Sequence, residues 1–208
     1  MDELTLTNSA HHLQQLLYQR NEFPDRAAEI DAEIVRVFQQ RRSVLALDLC
    51  GFARTVHHRG IIHFLALIER VSRLIRPIIE DNGGHLVKSE ADNVFALFNN
   101  PDASIACAED IMQALAAVNA VLPEQDEIHC SVGIGYGDLL VVAGEDLWGD
   151  EMNLASKLGE DLAARGEVLL TEAAYEALTR GKAQCAKVEL SVSGLRLDVY
   201  RFTPRRRG

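Results

Sequence analysis

The sequence predicts an α+β protein with a ferredoxin-like βαββαβ core, preceded by a helical extension and followed by carboxy-terminal additions. Three observations carry that expectation. Apolar residues recur at threes and fours in some segments and form short continuous or alternating runs in others, so helices and strands separate by period. From residue 43 these segments follow in the order strand, helix, hairpin, helix, strand, which lays two helices on one face of a mostly antiparallel sheet. With 208 residues, 48% hydrophobic and 25% charged, the chain suits one such domain and a modest extension, not a disordered or fibrous polymer.

Residues 8–20 and 24–40 carry apolar side chains at helical spacing, among them Leu13, Leu16 and Leu17, then Ile30, Ile34, Val35 and Phe38. Pro24 fits the first turn of the second helix, and Arg41-Arg42 suit its carboxyl end, where cations complement the macrodipole. Residues 1–42 are therefore assigned to a helical extension and 43–208 to the main domain. Val44 to Leu49 reads as a buried strand that ends in Asp48-Leu49 before a Cys50-Gly51 turn. The run from Phe64 to Ile78 is a helix, stopped by Asn82-Gly83-Gly84, with Pro77 expected to kink its last turn. Residues 85–88 and 94–98 are two strands around a polar tip, Ser89 to Asn93. Pro101 to Leu122 is a second long helix. Residues 128–135 and 138–142 read as two strands punctuated by Gly133, Gly135 and Gly137. A third helix is expected at about 150–164, and strands near 167–170 and 197–202.

Lys and Arg total 21 against 31 Asp and Glu, a formal charge of −10, so the field of the chain repels polyanions and no nucleic-acid groove is expected. Cys50, Cys107, Cys130 and Cys185 lack the short spacing of a zinc knuckle or a CxxC motif and read as reduced thiols. The acidic start has no apolar core behind it, and no 18 uncharged apolar residues run together; a soluble cytoplasmic protein, with no membrane partner, is the expectation. His57-His58 and His63 read as helix-surface residues, Arg205-Arg206-Arg207 as a solvated tail, and Trp148 as packing.

Chemistry concentrates at a few positions. Asp48 ends the first strand, and this topology sets Asp92, in the hairpin turn, beside it. Two carboxylates at one sheet end repel unless a cation lies between them, and Mg²⁺ favours a pair of carboxylates together with phosphate oxygens. The same residues also suit a capping Asp and a turn Asp. The turn after Asp48, Cys50-Gly51-Phe52-Ala53, leads into a helix, whose amides can hold phosphate without a basic side chain. Asn153 and Lys157 are four apart on an expected helix and so share a face.

Leu47-Asp48-Leu49-Cys50-Gly51-Phe52, Lys88-Ser89-Glu90-Ala91-Asp92 and the stretch from Glu145 to Leu158 together resemble the class III adenylyl/guanylyl cyclase catalytic domain, in order and approximate spacing, over residues 43–202. The resemblance implies a head-to-tail homodimer with shared sites and two divalent ions, Mg²⁺ or Mn²⁺. Asp48 and Asp92, with the Leu49 carbonyl, match the metal ligands, and Cys50, Gly51, Phe52 and Ala53 match the phosphate-holding segment. From the partner, Lys88 and Asp146 match the pair that reads the adenine edge, Asn153 the ribose-orienting residue, and Lys157 the family's catalytic arginine. The implied reaction is ATP to cyclic AMP and pyrophosphate. Three departures stand out: lysine at 157, Ser193 (with Arg196 nearby) where the family has a triphosphate-contacting lysine, and only Glu145 between Gly144 and Asp146, where a longer arm is usual. The alternative is a catalytically silent module of this fold that binds a nucleotide or a partner.

Overall fold

A computed structural model describes residues 8–51, 59–192 and 195–204. Two helices, α1 (Ala10–Glu22) and α2 (Ala27–Phe38), lead into β1 (Gln39–Leu49). There follow α3 (Ile61–Asp81), the hairpin β2 (His85–Glu90) and β3 (Asn93–Phe98), α4 (Pro101–Asn119), β4 (Cys130–Val142), the short β5 (Asp146–Trp148) and α5 (Asp150–Lys157). The chain closes with β6 (Val168–Thr171), the five-residue α6 (Glu172–Glu176), β7 (Cys185–Val192) and β8 (Leu195–Phe202). The sheet order is β2-β3-β1-β4-β6-β8-β7, with β5 on β4. β1 lies antiparallel between β3 and β4, which is the expected βαββαβ core, and the parallel β4–β6 pair joins it to the last strands.

Alternation along β1 separates two layers. Leu45, Leu47 and Leu49 face α3 and α4 and share their core with Val71, Ile75, Ile79, Ile105 and Ile111, while Val44 and Ala46 face the opposite side with Phe95, Leu97, Leu139 and Ala155. Asp48 therefore continues the Val44–Ala46 face, away from the two long helices.

Several boundaries move. Arg41-Arg42 do not end a helix: α2 stops at Phe38, because Gln39 to Arg42 pair with Leu140 to Gly137 of β4. Ladder hydrogen bonds to a thirteen-residue neighbour outweigh the helical period of a short segment. The two strands expected at 128–135 and 138–142 are one strand that begins at Cys130, and its glycines are packing sites, not breaks. The third helix ends at Lys157 and passes into a π-turn, Leu158–Leu162. The hairpin tip is only Ala91-Asp92, with Ala91 at φ 52°, and α3 runs on through Pro77 to Asp81. β7 has no counterpart in the sequence reading, and Trp148 is left 44% exposed instead of packed. All four cysteines are free; burial pushes the Cys107 and Cys130 thiols up to about 12. His63 is exposed on α3, whereas His57, His58 and Arg205 to Arg207 lie outside the described residues.

Candidate active site

Asp48 reaches the end of β1 opposite Asn93 on one side and Ser131 on the other, and the Leu49 amide donates to the Asp92 carbonyl at 3.1 Å. The tight hairpin thus brings Asp92 to Asp48, as the topology requires. Burial first, then the charges of Asp92, Glu160 and Asp161, push the Asp48 carboxyl up to about 6. Glu160 is itself raised by burial, Asp161 and Asp92, while Lys157 pulls it the other way. Four carboxylates therefore share one neighbourhood. Glu160 and Asp161 escaped the sequence reading, which placed them within a continuous helix; the π-turn swings them toward β1, where Gly159 lies against the Ala46 carbonyl.

This donor set fits a hard divalent ion. Asp48 lies half-buried beside the like charge of Asp92, a repulsion that a cation relieves; no three His, Cys, Asp or Glu side chains among the described residues form a complete metal cage, and Mg²⁺ is typically held by one or two carboxylates with substrate phosphates supplying the rest. The Asn93 Oδ1 next to Asp92 is buried with no hydrogen-bond partner, a further acceptor at this end of the sheet. Leu49 has its side chain in the core, so only its backbone is available here. In the following turn the Cys50 amide is not free for phosphate, since it donates to the His129 carbonyl at 2.8 Å; that bond prolongs the β1–β4 ladder by one residue. Gly51 takes φ 93°, a conformation that favours glycine, and Phe52 and Ala53 lie outside the described residues.

Lys88 owes its direction to a bulge. The β2–β3 register slips between Leu86 and Lys88, so Lys88 falls opposite Phe95, on the Val44–Ala46 face, where an unbulged strand would turn it away. Its Nζ lies 5.3 Å from the Phe95 ring centroid and 2.9 Å from Asp146 Oδ1, with Glu90 at 3.4 Å. Burial alone would lower the Lys88 pKa, but the hydrogen bond and charge of Asp146, with help from Glu90, raise it. Asp146 Oδ1 also accepts from the Leu147 amide at 2.8 Å. Both residues belong to one chain, and one ligand edge can meet them together.

Helix α5 lies on this same face because β4 has no side chains beneath it. A Cβ at Gly133 would collide with the Ala155 carbonyl, one at Gly135 with the Glu151 carbonyl, and one at Gly137 would come within 2.8 Å of Glu151 Cγ. Glu151, which sequence reasoning passed over, is the anchor: its Oε2 accepts from the Tyr136 amide at 3.0 Å and from Thr171 Oγ1 at 2.6 Å. An acidic residue on the inward stripe with Ala155 and Leu158 was the available signal. At 100° per residue that stripe turns Asn153 and Lys157 outward on a common face, and both are exposed. Lys157 forms no hydrogen bond or ion pair among the described residues. Ser193 lies outside the described residues, and Arg196 stands opposite Ser191 in the β7–β8 ladder.

The profile of the Adenylate and Guanylate cyclase catalytic domain matches residues 38–203. The chain belongs to this family. An adenylate cyclase of Streptomyces coelicolor (strain ATCC BAA-471 / A3(2) / M145) is 30% identical over 150 residues, which is 72% of this chain and 36% of that protein. A serine/threonine-protein kinase, pkn2 of Myxococcus xanthus, is 26% identical over 165 residues, 78% of this chain and 20% of that protein. The chain thus spans little more than a third, at most, of the length of these curated relatives. The crystal structure of an adenylate/guanylate cyclase/hydrolase from Silicibacter pomeroyi superposes with a TM-score of 0.66 at 25% identity, covering 80% of this chain and 98% of that one. The cyclase fold expected from the sequence is therefore present. Among the described residues no helix is long and apolar enough to cross a membrane.

Proposed function

We propose that this cyclase domain, which begins with β1 at Gln39 and is preceded by the helices α1 and α2, works as a metal-dependent homodimer that converts ATP to cyclic AMP and pyrophosphate. The observation that carries the choice of ATP is the Lys88–Asp146 pair, 2.9 Å apart on the sheet face opposite α3 and α4. Adenine presents an acceptor at N1 beside the N6 amine, whereas the corresponding edge of guanine has the opposite polarity; an ammonium and a carboxylate side by side match the first and leave both groups mispaired against the second.

Asp48, Asp92 and the Leu49 carbonyl would hold Mg²⁺ or Mn²⁺, which supplies a lowered pKa at the ribose 3′-hydroxyl and charge for the triphosphate. The 3′-oxygen bonds to the α-phosphorus, the bond from that phosphorus to the bridging oxygen breaks, pyrophosphate departs and the hydroxyl proton passes to solvent. Asn153 orients the ribose of a substrate whose phosphates rest on the other protomer. Lys157, exposed on α5, presents its ammonium to charge developing on the transferring phosphoryl group. A lysine is a point charge without the bidentate fork of arginine, so the silent nucleotide-binding module stays the competing reading.

Incubating the protein with each of the four ribonucleoside triphosphates and Mg²⁺ or Mn²⁺, and identifying cyclic products by mass, tests the reading: cyclic AMP as the main product supports it, and none from any nucleotide refutes it. Shared sites are tested by mixing an Asp92→Asn chain with a Lys157→Ala chain. Activity should return in the mixture, since each heterodimer has one intact site; two variants that stay inactive after verified subunit exchange place the site within one chain.

A further inference from the structure

The amino-terminal helices and the short arm before Asp146 meet at one side chain. Helices α1 and α2 close over β4, where Leu13, Leu16, Ile30, Ile34 and Phe38 pack with Val142 and Leu140. Asn8 stands just ahead of the α1 cap, Ser9. Its Nδ2 donates to the Val141 carbonyl at 3.0 Å and to the Val37 carbonyl, in the last turn of α2, at 3.4 Å, and its Oδ1 accepts from the Ala143 amide at 3.0 Å. One donor and one acceptor directed at the two residues that flank Val142 is the pattern a parallel strand presents to its neighbour. The β1–β4 ladder starts only at Gln39 and Leu140, so the Asn8 amide stands in for a strand peptide where β1 has not yet begun.

Beyond Ala143 the chain turns at once. Gly144 takes φ 73°, the Glu145 amide donates to the Val142 carbonyl at 3.1 Å, and Asp146 returns opposite Val142, the residue that the Asn8 amide brackets. Asp146 then meets Lys88. A continuous set of hydrogen bonds runs from Asn8 through the end of β4 to the carboxylate of the base-reading pair.

We infer that Asn8 is a positioning residue for base selection: by pairing with the end of β4 it makes the amino-terminal helices part of the scaffold that holds Asp146 against Lys88. This rests on the reading of Lys88 and Asp146 as the adenine-recognising pair. Ala143 and Gly144 are exposed, so without the Asn8 amide their backbone turns to water and the arm frays. Discrimination between bases needs the carboxylate at one place; the triphosphate, held elsewhere, does not feel the change. The arm that is short by family standards is thus held by the extension in place of its own length.

The test uses the full chain with Asn8→Ala and Asn8→Asp, the second keeping the acceptor for Ala143 and losing both donated bonds. Measured for each are kcat/KM for ATP and for GTP, amide hydrogen exchange over residues 10–38 and 143–147, and Tm. Asn8→Ala should lower the ATP-over-GTP ratio about tenfold and speed exchange over 143–147, with Asn8→Asp intermediate. An unchanged ratio with faster exchange would mean that Asn8 only holds the helices down, and unchanged exchange over 143–147 would remove the clamp; either overturns the inference. A Lys88→Ala variant separates the two layers of argument: if it leaves the ratio of the parent protein unchanged, base reading by this pair fails and the role of Asn8 in selection falls with it, even where the exchange data show the clamp.

Discussion

The two charged regions on the sheet face opposite α3 and α4 are built on opposite principles. At the end of β1, Asp48 and Asp92 stand with Glu160 and Asp161, and their mutual repulsion and partial burial raise the Asp48 carboxyl to about 6. At the β2–β5 edge, Lys88 and Asp146 satisfy each other at 2.9 Å over the Phe95 ring. The first region is electrostatically incomplete and gains by taking up a cation. The second is complete on its own, so any group that enters there must replace an existing ion pair, and only one whose donors and acceptors reproduce it does so without leaving a partly buried charge unpaired. In the proposed reaction these contrasting regions would serve different parts of one substrate, the metal-bound triphosphate at the first and the base at the second.

Removing charge from each region should therefore have opposite side effects. Asp48→Asn or Asp92→Asn is expected to cut metal-supported turnover by about a thousandfold or more, while Tm stays level or rises because repulsion is relieved. Kinetics beside thermal unfolding checks this, and a variant with normal turnover would break the metal assignment. Next in size, Lys157→Ala should lower kcat by roughly ten- to a thousandfold with a smaller change in KM, and Lys157→Arg should keep or raise turnover. Binding of metal–ATP, measured in parallel, separates a chemical defect from a misfolded one.

At the paired region the loss should be smaller and fall on selectivity. Lys88→Ala strands Asp146 without its partner and should reduce kcat/KM for ATP by about ten- to a hundredfold, the scale of about 1–3 kcal/mol for a lost charged hydrogen bond, with little change for GTP. Equal losses for both nucleotides would count against base reading.

The smallest effect sharpens the contrast through pH. Asp48 has a folded pKa above its ordinary value, so the folded state binds its proton more tightly than the unfolded chain does. Its contribution favours folding below the ordinary carboxylate range and is lost as pH rises through about 6. Mg²⁺ competes with that proton. The Mg²⁺-induced rise in Tm should accordingly be larger at pH 7.5 than at pH 5, and in Asp48→Asn it should lose this dependence.

How far these regions can be read before folding depends on whether the signal is local. The βαββαβ order, the buried run ending in Asp48, the helix that shows Asn153 and Lys157 on one face, and the motifs that carry the family all follow from period and short spacing. Local reading failed where a distant partner decides. Gln39 to Arg42 look like the end of a helix until β4 offers them a ladder. Gly133, Gly135 and Gly137 look like strand breaks until α5 is laid over them and their missing Cβ atoms become the space it occupies. β7 is the exception: Ala186 to Val192 alternate apolar and polar residues, the period of a strand, so its signal was local and the pairing with β8 along its whole length agrees with it.

The sequence by itself determined the order of the elements, the family and which side chains have the chemistry to bind a metal, a phosphate or a base, because these depend on residue type and on spacing within a few turns of chain. Only the tertiary structure decided that Glu160 and Asp161 join Asp48 and Asp92, that a bulge turns Lys88 toward Asp146, and that Asn8 and Glu151 hold the elements bearing those groups. The physical reason is common to all three: electrostatic and hydrogen-bonding partners act through distance in space, and residues separated by up to 135 positions along the chain become neighbours only when the sheet is assembled.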